Sequence, residues 1–124
     1  MYYNAAKEMF MAGKHARAKR SRSFIRTGRF FVYIVACSDG TYYTGFTPCL
    51  KRRIKRHNDG KGAVYTRCRR PVRLVWRRRY RRFKPAFLLE KTLKRLTRRQ
   101  KEFLVRGRRL DRVLAEARKN GRKV

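Results

Sequence analysis

The order of apolar and polar positions predicts three strands. Residues 30–36 form an unbroken run of β-branched and aromatic side chains, which is typical of a strand. Residues 38–40, Ser-Asp-Gly, favour a tight turn, and residues 41–46 are predicted to return as the second strand. Residues 65–71 are basic and are predicted to form a loop. Residues 72–76 then alternate well enough to predict a third strand.

A helical period separates the second predicted strand from the basic loop. Thr47 is predicted to cap this helix, with Pro48 in its first position, and the helix is expected to end near Asn58. Leu50 and Ile54 would then face inward, and the charged residues between them would face solvent.

Three further helices are predicted after the third strand. The second helix would begin at Pro85, and the third would begin at a capping box formed by Thr97 and Gln100 and end near Gly107. The fourth would cover residues 110–119. The residues expected to face inward are Leu88, Leu89, Leu93 and Leu96 on the second helix, Phe103 and Leu104 on the third, and Leu110, Val113, Leu114 and Ala117 on the fourth.

These elements predict an α+β fold, with a small mixed or antiparallel three-stranded sheet flanked by helices. We divide the chain into a basic N-terminal extension (residues 1–28), a domain (29–106) and a basic C-terminal helix or tail (107–124). Residues 5–18 of the extension could also form a helix. A chain of 124 residues has room for one such domain.

The charge of the chain indicates its partner. There are 38 Lys and Arg residues against 7 Asp and Glu, which gives a formal net charge of +31 at pH 7. Such a chain repels itself and is expected to bind a polyanion, and the phosphate backbone of nucleic acid is the natural example. A membrane is not expected as a partner, because no apolar run approaches the roughly 20 residues of a spanning helix.

One segment, residues 77–83, interleaves arginine with aromatic side chains. On a strand or an edge loop, such a segment can follow phosphates and stack on bases, although a solvated run of charge has the same composition. The residues predicted to bind nucleic acid are Arg52, Lys55, Arg56, Lys61, Arg67, Arg69, Arg70, Arg77, Arg78, Arg79, Arg81 and Arg82.

A series of short motifs resembles the GIY-YIG nuclease family, and looks most like its small single-domain members of the type found in bacteria. The two motifs that name the family correspond to Val32-Tyr33-Ile34 and Tyr43-Thr44-Gly45. Val32 replaces the first glycine of the family motif, and Thr44 replaces its second isoleucine. The further matches, from about residue 30 to 105, are Asp39-Gly40-Thr41, Leu50-Lys51-Arg52-Arg53, His57-Asn58, Gly60-Lys61-Gly62-Ala63, Tyr65-Thr66-Arg67, Arg70-Pro71-Val72, Leu74-Val75, Ala86, Glu90, Leu93-Lys94-Arg95-Leu96 and Lys101-Glu102.

The matching residues also have a physical logic of their own. Two tyrosines on adjacent antiparallel strands can point into one cleft. Arg53 and His57 are four residues apart and share one helix face. Glu90 is one of only 7 acidic residues. Taken singly, the tyrosines could be ordinary strand residues, and Glu90 could simply pair with Lys94 four residues on.

The resemblance implies a phosphodiesterase that uses one metal ion. Glu90 would bind Mg²⁺ or Mn²⁺, and Tyr33 or Tyr43 would activate the attacking water. Arg53 would stabilise the charge of the pentacovalent transition state. His57 would orient a tyrosine or relay a proton.

Two functions follow from the sequence. One is a metal-dependent endonuclease acting on DNA or RNA, based on the complete set of resembling residues. The other is a structural rRNA-binding component of a ribosome or mitochondrial ribosome, built on a recruited nuclease domain, with ribosomal RNA and neighbouring ribosomal proteins as partners. The charge favours the second, because every neutralised phosphate adds affinity and slows product release. We then expect structured RNA rather than DNA, in a ribonucleoprotein that is mitochondrial or cytoplasmic.

Overall fold

The computed structural model describes residues 27–121. The N-terminal extension up to residue 26, including the possible helix at residues 5–18, lies outside the described residues. Within residues 27–121, no helix is both long and apolar enough to cross a lipid bilayer.

A three-stranded antiparallel sheet lies at the centre of the fold. Its strands are β1 (Thr27–Ala36), β2 (Tyr42–Thr47) and β3 (Arg73–Arg82), in the order β2-β1-β3. Gly40, in the turn between β1 and β2, has a φ of 85°, which is the left-handed value that the predicted Asp-Gly turn requires. The expected α+β class is therefore confirmed, with an antiparallel sheet.

β3 is longer than its apolar pattern predicts. It continues beyond Trp76 to Arg82, because β1 itself starts at Thr27 and pairs with β3 over its whole length, from Thr27 opposite Arg82 to Ala36 opposite Arg73. Backbone hydrogen bonds to β1 hold this segment, and side-chain burial contributes little. Most of the arginine-rich run thus lies on an edge strand.

Five helices surround the sheet within the described part of the chain. They are α1 (Leu50–Asn58), α2 (Val64–Arg67), α3 (Phe83–Lys94), α4 (Arg98–Val105) and α5 (Leu110–Gly121). The short α2 lies where a loop was predicted. Its four residues carry too little apolar periodicity for a helix to be recognised.

The predicted start of α1 is wrong. The helix begins at Leu50, and Cys49 is its N-cap residue without a side-chain capping bond. Thr47 remains in β2, where it pairs with Phe31, and its hydroxyl accepts a hydrogen bond from the Cys49 backbone N–H (3.2 Å). The Thr47 hydroxyl thus stabilises the turn into the helix, and Pro48 lies within that turn.

The start of α3 and one of its inward residues also differ from the prediction. The helix begins at Phe83, two residues before Pro85, and Leu88 is 50% exposed. Leu88 is out of phase with Ala86, Leu89 and Leu93, which share the buried side of the helix. The predicted capping box of α4 is confirmed, because Thr97 and Gln100 exchange side-chain-to-backbone hydrogen bonds of 2.9 and 3.2 Å.

The two faces of the sheet differ in what covers them. The helix-packed face carries the larger core, to which β1, β2, α3, α4 and α5 all contribute: Phe30, Val32, Ile34, Phe46, Ala86, Leu89, Leu93, Leu96, Leu104 and Val113. Alternation along β1 turns Tyr33 and Val35 to the opposite side, which we call the site face. There a smaller cluster packs under Leu50 and Ile54 of α1.

Candidate active site

Both family-motif tyrosines lie on the site face. Tyr33 is fully buried and Tyr43 is 5% exposed. Tyr43 pairs with Val35 across the β1–β2 ladder, and Tyr33 pairs with Gly45. A Cβ atom at Gly45 would lie 2.3 Å from the Tyr33 ring, so the glycine makes the space in which that ring lies.

α1 adds an arginine and a histidine to the tyrosines. Arg53 and His57 are the buried residues of this otherwise charged helix, one turn apart on the side that faces the sheet. The Tyr33 hydroxyl hydrogen-bonds His57 Nε2 at 2.8 Å, and Arg53 Nε donates to the Tyr33 hydroxyl oxygen at 3.3 Å. The predicted neighbourhood of Tyr33, Tyr43, Arg53 and His57 is thus present in the structure.

Thr66 extends this network, and the sequence reasoning did not single it out. Its hydroxyl lies 2.8 Å from His57 Nδ1 and donates to the Ala63 carbonyl at 3.0 Å. We assign the hydroxyl proton to the Ala63 contact, so that the Thr66 oxygen accepts from Nδ1–H. With this assignment His57 carries its proton on Nδ1, and its Nε2 accepts the Tyr33 proton. The only sequence signal was the position of Thr66 within the matching Tyr-Thr-Arg motif.

Glu90 enters the site from α3. Its side chain is fully buried, and neither carboxylate oxygen has a hydrogen-bond partner among the described residues. The ammonium of Lys94 lies 4.0 Å from one oxygen, as the helix spacing predicts, and also 4.8 Å from the centre of the Tyr43 ring. Glu90 is therefore both paired with a lysine and adjacent to the tyrosines.

Burial sets the protonation states of the site. It raises the pKa of Tyr43 to about 12 and that of Tyr33 still further, although the Arg53 charge opposes both shifts. Burial, with smaller effects from Arg53 and Arg56, lowers the pKa of His57 to about 4. At neutral pH both tyrosines are consequently protonated phenols, and His57 is a neutral imidazole.

The same burial acts on the carboxylate and its lysine. Removal from water raises the pKa of Glu90 to about 8, against the attraction of Lys94 and Lys91, and it lowers the pKa of Lys94. Burial alone would lower the pKa of Arg53, but its contacts with Tyr33 and Tyr43 outweigh this and raise it. A cation beside Glu90 would favour its charged form and displace its proton.

Several buried polar atoms of the site make no hydrogen bond within residues 27–121, although Lys94 lies 4.0 Å from Glu90 and Arg53 interacts with Tyr43. They are the Tyr43 hydroxyl, Arg53 Nη2 and the two oxygens of Glu90. Such atoms are costly unless a ligand or water meets them. A hydrogen-bond donor of Arg53 without a partner fits a phosphate oxygen, and the Glu90 carboxylate, once it has lost its proton, fits a divalent cation.

The residues present fit a metal ion of one particular kind. In the described part of the chain, no three His, Cys, Asp or Glu side chains form a metal-binding group. Mg²⁺ is commonly held by one or two carboxylates, with water and substrate phosphate as its remaining ligands. Glu90 as the single protein ligand is compatible with that pattern.

Asn58, at the end of α1, has a structural position next to the site. Its side chain donates to the Val72 carbonyl (3.1 Å) and accepts from the Val72 N–H (2.7 Å). This pair of bonds ties α1 to the chain just before β3. Arg53 and His57 of α1 are thereby held against the sheet.

Some of the predicted nucleic-acid-binding residues also stabilise the protein itself. Arg69 bonds the Asp39 carboxylate at 2.9 Å and stacks over the Tyr65 ring at 4.0 Å. Three others make surface contacts: Arg56 with the Lys61 carbonyl (2.9 Å), Arg70 with the Arg67 carbonyl (2.9 Å) and Lys55 with Asp59 (2.8 Å). Arg52, Lys61 and Arg67 are exposed.

The arginines of β3 do not form a single surface. Arg77 pairs with Tyr33 and Arg79 with Phe31, so both project on the site face. Arg78 pairs with Val32 and projects on the helix-packed face. All five arginines of this run, including Arg81 and Arg82, are exposed.

A model of the GIY-YIG catalytic domain matches residues 29–102 of the chain. The match includes β2, β3, all of β1 except its first two residues, and all five residues of the candidate site. It ends within α4, so that α5 lies outside it.

Curated bacterial proteins are similar to the chain over most of their own length. The UPF0213 protein YazA of Bacillus subtilis is 41% identical over 85 residues, which are 68% of this chain and 86% of the relative. A UPF0213 protein of Staphylococcus aureus is 45% identical over 78 residues, 63% of this chain and 95% of the relative. The solution NMR structure of the UPF0213 protein BH0048 from Bacillus halodurans is 48% identical, covers 62% of this chain and 82% of that one, and superposes with a TM-score of 0.42.

Proposed function

The chain belongs to the GIY-YIG family, and we propose that it is a metal-dependent endonuclease that cuts phosphodiester bonds in nucleic acid. The GIY-YIG domain is a nuclease fold, and nucleases of this family typically depend on a metal ion. The observation that supports the proposal best is the set of buried polar atoms on Tyr43, Arg53 and Glu90 that make no hydrogen bond within residues 27–121. A domain kept only as a scaffold would gain stability by replacing them.

In this proposal Arg53 binds the scissile phosphate. Its Nε is committed to the Tyr33 hydroxyl, whereas its Nη2 has no partner within the described residues. A guanidinium donor in a buried site stabilises developing negative charge more strongly than one in water. The contact with Tyr33 fixes the direction in which Nη2 points.

Tyr33 is our candidate for taking the proton of the attacking water. Its hydroxyl donates to His57 Nε2, and after accepting from Arg53 its oxygen still has a lone pair. As water attacks phosphorus, one water proton passes to the Tyr33 oxygen and the Tyr33 proton passes to Nε2. Thr66 holds the tautomer that leaves Nε2 free to accept. The unpaired Tyr43 hydroxyl remains available to bind the water or a phosphate oxygen.

Glu90 would hold the metal ion, and we propose Mg²⁺ or Mn²⁺. When bound, such an ion polarises the phosphate and stabilises the leaving oxygen. The carboxylate must lose its proton to bind a cation, and its raised pKa therefore makes binding stronger as the pH rises towards about 8.

Cleavage of both DNA and RNA tests the proposal. The full chain should nick a supercoiled plasmid or cut labelled RNA when Mg²⁺ or Mn²⁺ is present, and Glu90→Gln should abolish the reaction. Glu102→Gln is the matched control, since Glu102 is partly exposed on α4 and pairs with Arg106. If none of the substrates is cut with either ion, the proposal is wrong. It is also wrong if Glu90→Gln is as active as the wild type.

A structural role in a ribonucleoprotein is the second candidate, supported by the net charge of +31 and the exposed arginines of β3. This structural role does not require the buried site atoms that lack hydrogen bonds, and we therefore rank it below cleavage. The charge alone had favoured the structural role. Cofractionation with ribosomes at high salt would support it. A chain that leaves the ribosomal fraction at high salt and cuts nucleic acid would exclude it.

A further inference from the structure

The side of β3 that faces the helices carries cations for which the proposed cleavage has no use. Two concavities adjoin it. One, of about 510 Å³, lies where β3 begins, next to the β1–β2 turn. It is lined by Arg73, Arg98, Tyr42 and Val75 and also by Cys37 and Val72 of the site-face cluster. The other, of about 660 Å³, is lined by Arg78, Arg109 and Arg118 with Leu110, Asp111 and Leu114.

The two linings together hold five arginines and one carboxylate. The carboxylate, Asp111, bonds Arg109 at 2.9 Å. Arg98 lies over the Tyr42 ring at 4.9 Å, and Arg78 lies 5.8 Å from the Tyr80 ring. Stacking of this kind leaves the donors at the edge of a guanidinium free for another partner.

We propose that these five arginines, the helix-side track (Arg73, Arg78, Arg98, Arg109 and Arg118), bind a second segment of nucleic-acid backbone. This segment lies on the opposite side of the sheet from the candidate active site. The inference goes beyond the proposed cleavage and needs only that the chain binds nucleic acid. The protein would then hold two segments at once.

The spacing of the track fits a phosphate backbone. Arg73 and Arg78 are five residues apart on one strand, which is about 17 Å. Along the axis of B-form DNA, about 17 Å is half of a helical turn of roughly 34–36 Å, so phosphates of one strand at this interval lie on opposite sides of the duplex. The two cationic clusters would therefore contact phosphates of both strands along one side of the duplex, where charges follow each other about every 1.7 Å of the axis.

The chemistry of the track favours nucleic acid over a protein partner. Protein interfaces centre on large apolar and aromatic anchors. The large hydrophobic residues that are well exposed within residues 27–121 are Val64, Leu74 and Leu88, and none of them lines either concavity. Guanidinium groups above a small apolar floor suit phosphates with sugars beneath them.

Part of the track lies outside the matched domain. Arg109 and Arg118 belong to the segment around α5, outside the region that the GIY-YIG domain model matches, whereas Arg73, Arg78 and Arg98 lie within it. α5 packs through Val113 onto the helix-packed core, which fixes its arginines beside β3. The segment around α5 thus adds two of the five arginines to a surface that begins on the matched domain.

Binding of short duplexes by the full chain tests the inference. Donor- and acceptor-labelled 12-base-pair duplexes are mixed with the protein at physiological salt and without metal, so that nothing is cut. A duplex this short is far below the DNA persistence length of about 150 base pairs and cannot bend around the sheet. Energy transfer reports two duplexes in one complex, and the mass of the complex gives the number of protein chains.

Three double variants, each lacking two charges, distinguish the surfaces. Arg78→Gln with Arg98→Gln should remove energy transfer and weaken the second duplex by about tenfold or more, with the first little changed. Arg77→Gln with Arg79→Gln should weaken the duplex on the site face instead. Arg95→Gln with Arg99→Gln, both exposed and outside the two linings, should retain two bound duplexes.

The outcomes separate the two proposals. One duplex for each wild-type chain, lost with the Arg77 and Arg79 pair, would overturn the helix-side track and leave the proposed function intact. The helix-side track would also be overturned if all three double variants lost the second duplex equally. The same holds if polyglutamate displaced the second duplex as readily as DNA does. No bound duplex at all would count against both proposals.

Discussion

The helix-packed face of the sheet buries apolar rings, whereas the site face of the same sheet buries polar groups. On the helix-packed face, Phe30, Phe46, Phe83 and Phe87 pack with ring centres 5.4 to 6.3 Å apart, without polar atoms to satisfy. On the site face, residues of the same strands bury two phenols next to an imidazole and a guanidinium. Aromatic pairs of the first kind add about 0.5–1.5 kcal/mol beyond their buried area.

The difference shows where stability is gained and where it is given up. Val32 and Ile34 alternate with Tyr33 along β1, so adjacent residues serve the two faces. An unpaired buried polar group costs about 1–3 kcal/mol, and the site holds several. The apolar face must offset that cost, because a domain of this size has only about 5–15 kcal/mol of net stability.

Apart from loss of the proposed metal ligand Glu90, replacing Arg53 by Ala should give the largest effect on cleavage. The variant loses the cationic donor of the site that is buried and has no hydrogen-bond partner within residues 27–121, Arg53 Nη2. We expect its rate of cleavage to fall by about 10²–10³, the usual cost of one donor to a developing oxyanion. Binding should change little, because many exposed cations remain. The measurement is single-turnover cleavage with saturating protein.

Arg52→Ala is the matched control for this variant. Arg52 is exposed on the same helix and removes the same charge without touching the tyrosines. Its cleavage rate should remain within a few-fold of the wild type. If both arginines matter equally, they act through general charge, and the assignment of Arg53 to the phosphate is wrong.

The strands and the shared helix face could be read from the sequence, and the network within the site could not. The β-branched and aromatic run predicted β1, and the Asp-Gly turn predicted the return of β2. The four-residue spacing predicted that Arg53 and His57 share a face. The extent of β3 was missed, since its arginines follow no apolar pattern and backbone pairing with β1 holds them. Thr66 was missed because a hydroxyl acquires its role only through the fold, by meeting His57 Nδ1.

Changing Thr66 to Val or Ser gives a smaller effect that tests the proton path. Val has the same shape without the hydroxyl, so His57 Nδ1 loses its acceptor and the tautomer with a free Nε2 is no longer favoured. We expect cleavage to fall by about tenfold, equivalent to the roughly 1.4 kcal/mol of one hydrogen bond. Ser should restore most of the rate, because it restores the acceptor. Rates are compared at equal fractions of folded protein.

The pH dependence of cleavage separates a role in proton transfer from simple packing. If Thr66 only fills space, Thr66→Val should cleave faster than Thr66→Ser, and the pH profile should keep its shape. If it orients His57, Thr66→Val should lower the rate and change the pH profile, and Thr66→Ser should keep both close to wild type.

The smallest predicted effect is on the free energy of unfolding of the variant Glu90→Gln, and it measures the cost of the buried carboxyl on the site face. Burial raises the pKa of Glu90 from 4.5 to about 8 in the folded chain. The folded state therefore keeps a proton that the unfolded chain loses above about pH 4.5, and the free energy of unfolding falls as the pH rises towards 8. Gln cannot lose a proton. The variant should be more stable than the wild type at pH 8, by on the order of 1 kcal/mol after the lost attraction to Lys94, and less so at pH 5.

His57 gives this comparison an internal check. Its pKa falls from 6.5 to about 4 on folding, so its contribution to stability is complete above pH 6.5 and is lost as the pH falls towards 4. Between about pH 4.5 and 6.5 the slopes from Glu90 and His57 oppose each other in the wild type. Urea unfolding of Glu90→Gln should therefore reveal a rise in stability over that interval, whereas Glu102→Gln should follow the wild-type curve. Identical curves for all three proteins would mean that the Glu90 carboxylate is not held out of water, and that the site face does not carry the cost inferred for it.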